Sequence, residues 1–415
     1  MKIAVLGAGI SGLGSAYILS FKHEVDLYEK DTRLGGHART TTIQDEDKIF
    51  GVDTGFLVFN EPTYPLLTKL FKQLNVKIEK SDMSFAFWNK DKNIAYNGSS
   101  IKGMFAQKRN LFSITHYKMI KDILTFNEQA TSDLLCDSND LDKSLGEYIK
   151  KYSNAFKQRY LLPMGAAIWS TPSEQMYDFP ARTFLTFFKN HGLLGVDSHH
   201  QWLTVSNGSI NYVNKIKEKI SGKIFLNSDV VKIRRTTNGV YLIHKNGSES
   251  FYDKVVLAMH APDALEILDD ASPEELEILS AFKYKENSAV LHNDNNILYP
   301  SKKMYAAWNY TSSNTQKDVV SLTYWINTLQ NLKTKKDYFV SLNETQNINN
   351  IIEKISYAHP QFNASAINMQ KRKKDINGYN NTYYAGAYWR YGFHEDGLLS
   401  ANEVGKLLGC ELWKT

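Results

Sequence analysis

Cysteine is scarce. Cys136 and Cys410 are the two in 415 residues, too few for a disulfide framework or for a zinc site without many other ligands. That scarcity points to a reducing compartment, and the cytoplasm is the expectation. Nowhere do about 18 consecutive apolar residues occur, so no transmembrane helix is expected, while peripheral attachment to a membrane stays open. Neither sign of charge dominates: 49 Lys and Arg against 44 Asp and Glu leave +5. Such a balance tolerates an anionic surface but is not the dense basic field of a nucleic-acid binder, so no nucleic-acid partner is expected. No repeat with a period of about 20–50 residues is visible, and no His/Cys/Asp cluster has metal-ligand spacing, so no metal is expected. Met1-Lys2 runs at once into an apolar strand, so no targeting segment is expected. What is abundant is core material, 42% hydrophobic and 13% aromatic. The length suggests two or three compact units of about 150 residues each.

The first motif is strand, glycine turn, helix. Residues 2–6 (KIAVL) lead into Gly7-Ala8-Gly9-Ile10-Ser11-Gly12, followed by a helical apolar pattern through Leu13, Ala16, Tyr17 and Leu19. In such a turn the first glycine permits the bend, the second admits a pyrophosphate, and the third lets helix and strand pack closely. A second strand, Glu24 to Glu29, ends in a carboxylate 22 residues after Gly7, where it can accept the hydroxyls of an adenosine ribose. The plainer alternative is a βαβ crossover whose glycines serve packing alone.

Three further stretches narrow the dinucleotide. They are Lys30, then Arg33-Leu34-Gly35-Gly36-His37-Ala38-Arg39-Thr40, then Val52-Asp53-Thr54-Gly55-Phe56-Leu57. Here the chain resembles the flavin-containing amine oxidoreductases, and the resemblance implies FAD. A glycine pair with a nearby basic residue would wrap the pyrophosphate, and Gly55, Phe56 and Leu57 would lie by the flavin. Relatives usually carry arginine directly after the glycine pair. Here His37 stands there and Arg39 follows, so either is the candidate for phosphate, with a solvated surface charge as the alternative for Arg39. The resemblance also places the backbone of Ser228-Asp229-Val230, with Val230 the matching position, against adenine.

A C-terminal run, Tyr383 to Ala401, is expected to form strand, loop and helix, with the helix starting at Asp396-Gly397. Free N–H groups at such a helix start would face the flavin and favour its reduced, more negative form. Gly386, Asp396, Gly397 and Leu398 are therefore cofactor candidates. Ala387 replaces the acidic residue common after Ala-Gly, which leaves Asp396 as the group to hold the ribityl chain. His394 is the candidate catalytic base because it abuts the helix start and histidine titrates near neutrality; Tyr391 is next, and a histidine bonded to local backbone is the alternative.

The expected fold is α/β: a discontinuous Rossmann-like FAD-binding domain of the amine oxidase type (1–61, 201–260, 381–415), with an inserted mixed-sheet-plus-helices substrate domain (62–200, 261–380). Within it, a helix is expected at 62–75 and strands at 83–88 and 93–96. The nucleotide unit resumes with an amphipathic helix, a strand at 223–226, a meander at 230–234, 240–244 and 249–252, and a buried strand at 254–258. The second insertion should carry strands at 288–292, 304–310 and 319–326 and a helix around 348–357. Lys371-Arg372-Lys373-Lys374 reads as a solvated turn.

The stretches Leu162 to Ser170, Phe179-Pro180-Ala181, Asn190 to Leu194 and Tyr388 to Gly397 look like a bacterial group of FAD proteins associated with cyclopropane-fatty-acid-synthase-type methyltransferases. That likeness implies dehydrogenation of a methylated phospholipid acyl chain on the way to furan fatty acids, by hydride transfer to flavin N5, with a lipid or fatty acyl substrate. The alternatives are a flavin amine oxidase, a flavin-dependent fatty acid double-bond isomerase, and a catalytically silent FAD-binding partner; a homodimer is also open. Residues 101–126 mingle Met104, Phe105, Leu111, Phe112 and Ile114 with Lys102, Lys108, Arg109, Lys118 and Lys121. That is the composition of a helical segment facing an anionic membrane, or of core-packed helices with basic outer faces.

Overall fold

The computed structural model describes residues 1–169, 171–195, 200–313 and 321–412. The chain opens with β1 (Lys2–Leu6), α1 (Ile10–Leu19) and β2 (Glu24–Tyr28), then departs through α2 (Pro65–Gln73). It returns with β3 (Ile224–Phe225), β4 (Lys254–Leu257), β5 (Thr382–Tyr384) and a long terminal helix, α3 (His394–Leu407). The five strands form one parallel sheet in the order β3-β2-β1-β4-β5.

Both faces of that sheet are covered, which explains the nearly unbroken apolar character of β1 and β4. Successive side chains alternate between two cores. Ile3 and Val5 pack with Leu13, Ala16 and Leu398 on one side, and Ala4 and Leu6 pack with Ile233, Leu242 and Ile278 on the other. The meander on that second side is tied down by a buried bidentate pair. Arg235 Nη1 and Nη2 lie 2.6 and 2.9 Å from the Glu275 carboxylate, which also accepts the Tyr384 hydroxyl of β5 at 2.5 Å.

The insertions share a seven-stranded sheet. Its order is Ile351–Gln361, Lys283–His292, Phe339–Leu342, Ser321–Trp325, Trp308–Ser312, Phe85–Asn89, Ile94–Asn97. Every pairing is antiparallel except that of Trp308–Ser312 with Phe85–Asn89, which joins the two insertions. Helices at Ile114–Leu135, Leu162–Trp169 and Ala181–Asn190 carry Phe126, Ala166, Phe184 and Phe188 into the same core.

Four expectations change. The helix foreseen at 348–357 is the strand Ile351–Gln361, because ten residues of Lys283–His292 pair along it and bury Ile355 and Tyr357. Its position at the sheet edge tolerates Pro360. The strand foreseen at 304–310 begins at Trp308, since 302–304 form a 3-10 turn. Of the strand foreseen at 319–326, Ser321–Trp325 is observed and 319–320 lie outside the described residues. In the basic run at 371–374, Lys371 and Lys374 are exposed as a solvated turn requires, but Lys373 is 14% exposed and reaches Ser400 Oγ (2.9 Å) and Glu403 (2.6 Å) on α3. Among the described residues, no helix is long and apolar enough to cross a membrane.

Candidate active site

The glycine turn, the glycine pair and the start of α3 meet at one place. Gly7 takes a left-handed conformation (φ +96°), and a Cβ there would lie 2.8 Å from the Ala258 carbonyl at the end of β4. A Cβ on Gly12 would fall 1.7 Å from the Gly7 oxygen, so helix and turn can close only on glycine. Gly9 differs: nothing lies within 4 Å of its missing Cβ, and its φ of −71° suits any residue. Its smallness therefore leaves space. Gly36, left-handed at φ +57°, stacks on this turn, its missing Cβ 2.9 Å from the Gly9 Cα.

α1 begins at Ile10 with no side-chain cap and no acidic residue in its first turn. Its free N–H groups and the positive end of its dipole therefore await an anion. Ala8 N–H instead donates to Glu29 Oε2 (2.7 Å), and Asp31 N–H donates to Glu29 Oε1 (2.9 Å), which holds the carboxylate at the lip of the turn. Val230 begins the adjacent meander, where Ser228 N–H donates to the Glu29 carbonyl.

Of the two candidates for phosphate, His37 keeps a buried Nε2 with no partner among the described residues, whereas Arg39 is paired with Glu353, which also accepts from Thr41. Burial, reinforced by His359, His260, His394 and Arg33, holds His37 well below the usual histidine range and hence neutral. Arg33, which sequence reading left without a task, braces the loop: its guanidinium donates to the carbonyls of Gly36 (2.7 Å), Leu34 (3.2 Å) and Ala38 (3.4 Å). Lys30 points outward to Asp263 at 3.2 Å, with 81% of its side chain exposed.

Asp53, which opens the segment expected beside the flavin, is buried. Its buried carboxylate accepts from Ser209 N–H and Oγ, Thr40 Oγ1 and Gln330 Nε2, so it clasps the Asp53-Thr54-Gly55 turn to the substrate half. Burial raises its pKa to about 6. Beyond it, Gly55 lies against the His37 carbonyl and the Tyr357 ring, and Leu57 is buried.

α3 starts at His394, two residues before the expected Asp396. A Cβ on Gly397 would lie 2.7 Å from both Ile10 Cγ2 and Ser11 Oγ, so the first turns of α1 and α3 abut. Gly386 N–H donates to Ser400 Oγ (3.1 Å), and Leu398 fills the seam above Gly14. Asp396 Oδ2 accepts the N–H groups of Phe393 (3.0 Å) and Tyr391 (3.2 Å), and burial raises its pKa to about 6.

His394 departs from its expected behaviour most. Its ring stacks on Phe56 at 3.7 Å, Nε2 lies 3.1 Å from the Tyr212 hydroxyl, and burial pushes the pKa down to about 3 rather than near neutrality. Burial thus favours the neutral imidazole. The neighbouring Glu395 is pushed up to about 7 by burial, and its oxygens accept the N–H groups of Leu66 and Leu67 at the start of α2. Tyr391 packs edge-on against Phe187 at 5.9 Å.

The cradle, with its space beside Gly9, free first-turn N–H groups, ribose-height carboxylate and unpartnered His37 nitrogen, fits FAD. Comparison with known proteins agrees. The family model for flavin containing amine oxidoreductase matches residues 10–291, more than half the chain. An L-amino-acid oxidase of Bungarus fasciatus is 22% identical over 258 residues, 60% of this chain and 48% of that protein. The match thus spans about half the length of that curated relative. Among solved structures, a CLA-producing fatty acid isomerase from P. acnes superposes with a TM-score of 0.69 at 15% identity, covering 98% of this chain and 97% of that one. A putrescine oxidase bound to putrescine gives 0.69 at 12% identity over 99% of both chains. At these identities the likeness to solved structures concerns the fold. The cradle and the family match together make this chain a member of the flavin-containing amine oxidoreductase family, an oxidoreductase that uses FAD.

Proposed function

We propose that this FAD-dependent oxidoreductase dehydrogenates a fatty acyl chain of a membrane phospholipid, a methylated chain in the furan-forming sense, while lying on an anionic membrane surface. The observation that carries this reading is an exposed apolar and basic face at residues 101–124. Ile101, Phe112 and Ile114 are 82%, 87% and 85% exposed, Leu111 and Leu124 join them, and Lys102, Lys108, Arg109, Lys118 and Lys121 are exposed beside them. Large apolar side chains this bare mark an interaction surface, and interleaved lysines suit an anionic bilayer. Met119 and Phe126 of the same stretch are buried, so the helix Ile114–Leu135 is anchored in the core while its start stays outside.

FAD, when bound, supplies the two-electron acceptor for removal of hydrogen from adjacent carbons. The first turn of α1 and Gly36 would hold its pyrophosphate, Glu29 its ribose, and His37 would donate from its free nitrogen. α3 would present the positive end of its dipole where charge grows on reduction. His394 would serve by packing and by its bond to Tyr212.

The test is anaerobic. Vesicles of methylated, monounsaturated phospholipid should bleach the flavin and yield a product two hydrogens lighter. Bleaching by amines alone would overturn the acyl reading in favour of amine oxidation, and double-bond migration without net oxidation would replace it with isomerisation. Binding should need lipid charge, since each basic group near such a surface adds roughly 1 kcal/mol and salt screens it. Replacing Lys108, Arg109 and Lys118 with glutamine should cut sedimentation with anionic vesicles and leave FAD content unchanged.

A further inference from the structure

A cavity of about 290 Å³ opens beside the loop that precedes α3, near the lower end of ligand-sized cavities at roughly 300–1,000 Å³. Its wall is apolar and largely aromatic: Trp169, Phe179, Phe362 and Tyr391 line it. The charged side chains lining it, Lys371 and Arg390, are both cationic, and no carboxylate is among its lining residues. Lys371 is exposed and Arg390 is 49% exposed, which puts positive charge within reach of solvent beside an oily interior.

Arg390 is engaged only at its edge, ion-paired with Asp396 and lying over the Tyr391 ring at 5.2 Å. Arg390 Nη1 lies 3.7 Å from Asp396, beyond hydrogen-bond distance, and that carboxylate already accepts the N–H groups of Tyr391 and Phe393. The Arg390 backbone is held, because Gln370 Nε2 donates to the carbonyls of Tyr388 (2.8 Å) and Arg390 (2.5 Å). Trp169 adds a buried indole N–H that has no partner among the described residues. The cavity also adjoins the cofactor-facing helix end through aromatic contacts: Tyr391 meets Phe187, which stacks on Phe393, the residue before α3, at 5.2 Å.

We propose that this cavity is a substrate-binding site for an anionic head group on an apolar tail, with Arg390 and Lys371 holding the carboxylate or phosphate and the aromatic wall holding the first carbons of the tail. The inference rests on the acyl reading for the nature of the tail. It goes beyond that reading in assigning the charge that the site selects, and a cationic amine would meet two like charges here.

The test uses the full-length, FAD-loaded protein at neutral pH and low salt. Laurate, lauryl phosphate, lauryl alcohol and laurylamine are titrated by calorimetry, with Arg390→Gln, Lys371→Gln and the double variant alongside. FAD content and thermal midpoint confirm that each variant is folded. We expect laurate or lauryl phosphate to bind at least about tenfold more tightly than laurylamine. Each single variant should weaken the anion about tenfold, as a lost charged hydrogen bond does, while lauryl alcohol binds all proteins alike. Preference for laurate would identify a free fatty acid, and preference for lauryl phosphate a phospholipid head. Equal binding of anion and amine, or undiminished anion binding by the double variant, would overturn the site. If that happens while acyl vesicles still bleach the flavin, the head-group site falls and the acyl reading stands. If the anions bind as expected and only amines bleach, the acyl reading falls and the site stands.

Discussion

The two sheets of this molecule are built by opposite means. Around the five-stranded sheet, close approach does the work: Gly7, Gly12, Gly14 and Gly397 let backbone and helices meet where a single Cβ would collide. Around the seven-stranded sheet, bulk does it, with Phe87, Tyr96, Phe126, Phe156, Phe184 and Phe188 all nearly inaccessible to solvent. Those glycines are intolerant of added atoms and those rings of removed ones. Ligand space follows the same division, the cofactor lying where side chains are missing and the candidate substrate cavity where aromatic walls stand apart.

Substitutions can break or sharpen that contrast. The largest effect is expected within the glycine turn. Gly12→Val would drive side-chain carbon into the Gly7 carbonyl and should yield protein that neither folds stably nor carries flavin. Gly9→Ala, three residues away, enters open space and a compatible backbone; the apoprotein should melt as the parent does, while FAD binds at least about tenfold more weakly, roughly 1.4 kcal/mol. Flavin titration and apoprotein melting read both. Undiminished FAD affinity in Gly9→Ala would place the pyrophosphate elsewhere.

On the aromatic side, Phe184→Ala should cost about 3–5 kcal/mol through the cavity it leaves. It should still bind one FAD per chain, because Phe184 lies in the other half's core. Denaturant unfolding followed separately by flavin release and by far-UV signal checks this; loss of FAD affinity in the folded variant would show that the halves are coupled.

A smaller effect concerns the seam between α2 and α3. Glu395 is pushed up to about 7 by burial, against about 4.3 in an unfolded chain. The native state therefore binds more protons between those values, and this group's contribution to stability is fully present below about 4.3 and falls as pH rises toward 7. Asp53 and Asp396, each near 6, act in the same direction. In Glu395→Gln the difference in unfolding free energy between pH 5 and pH 8 should shrink; an unchanged difference would show that Glu395 titrates normally.

Much of the cofactor half was legible because its signals are local. The Gly7-to-Gly12 turn, Glu29 at the end of β2 and the glycine pair at 35–36 are statements about backbone over about thirty residues, and the meander announced itself through Asn238-Gly239 and Asn246-Gly247. The substrate half was less so. The segment at 348–357 has helix-compatible residues, and only a partner strand some seventy positions earlier makes it extended.

For the site, sequence alone determined where the glycine turn, the glycine pair and the strand-end carboxylate fall, since their spacing is a requirement of chain geometry. Tertiary structure decided what their neighbours do. It engaged Arg39 with Glu353 and left His37 bare, and it turned the Asp396 carboxylate onto its own helix start. It buried His394 against Phe56 and Tyr212, which lowers its pKa, and it set Arg390 and Lys371 at the mouth of one cavity. Partners, burial and charge at a side chain come from segments distant along the chain, and the order of residues near it carries no trace of them.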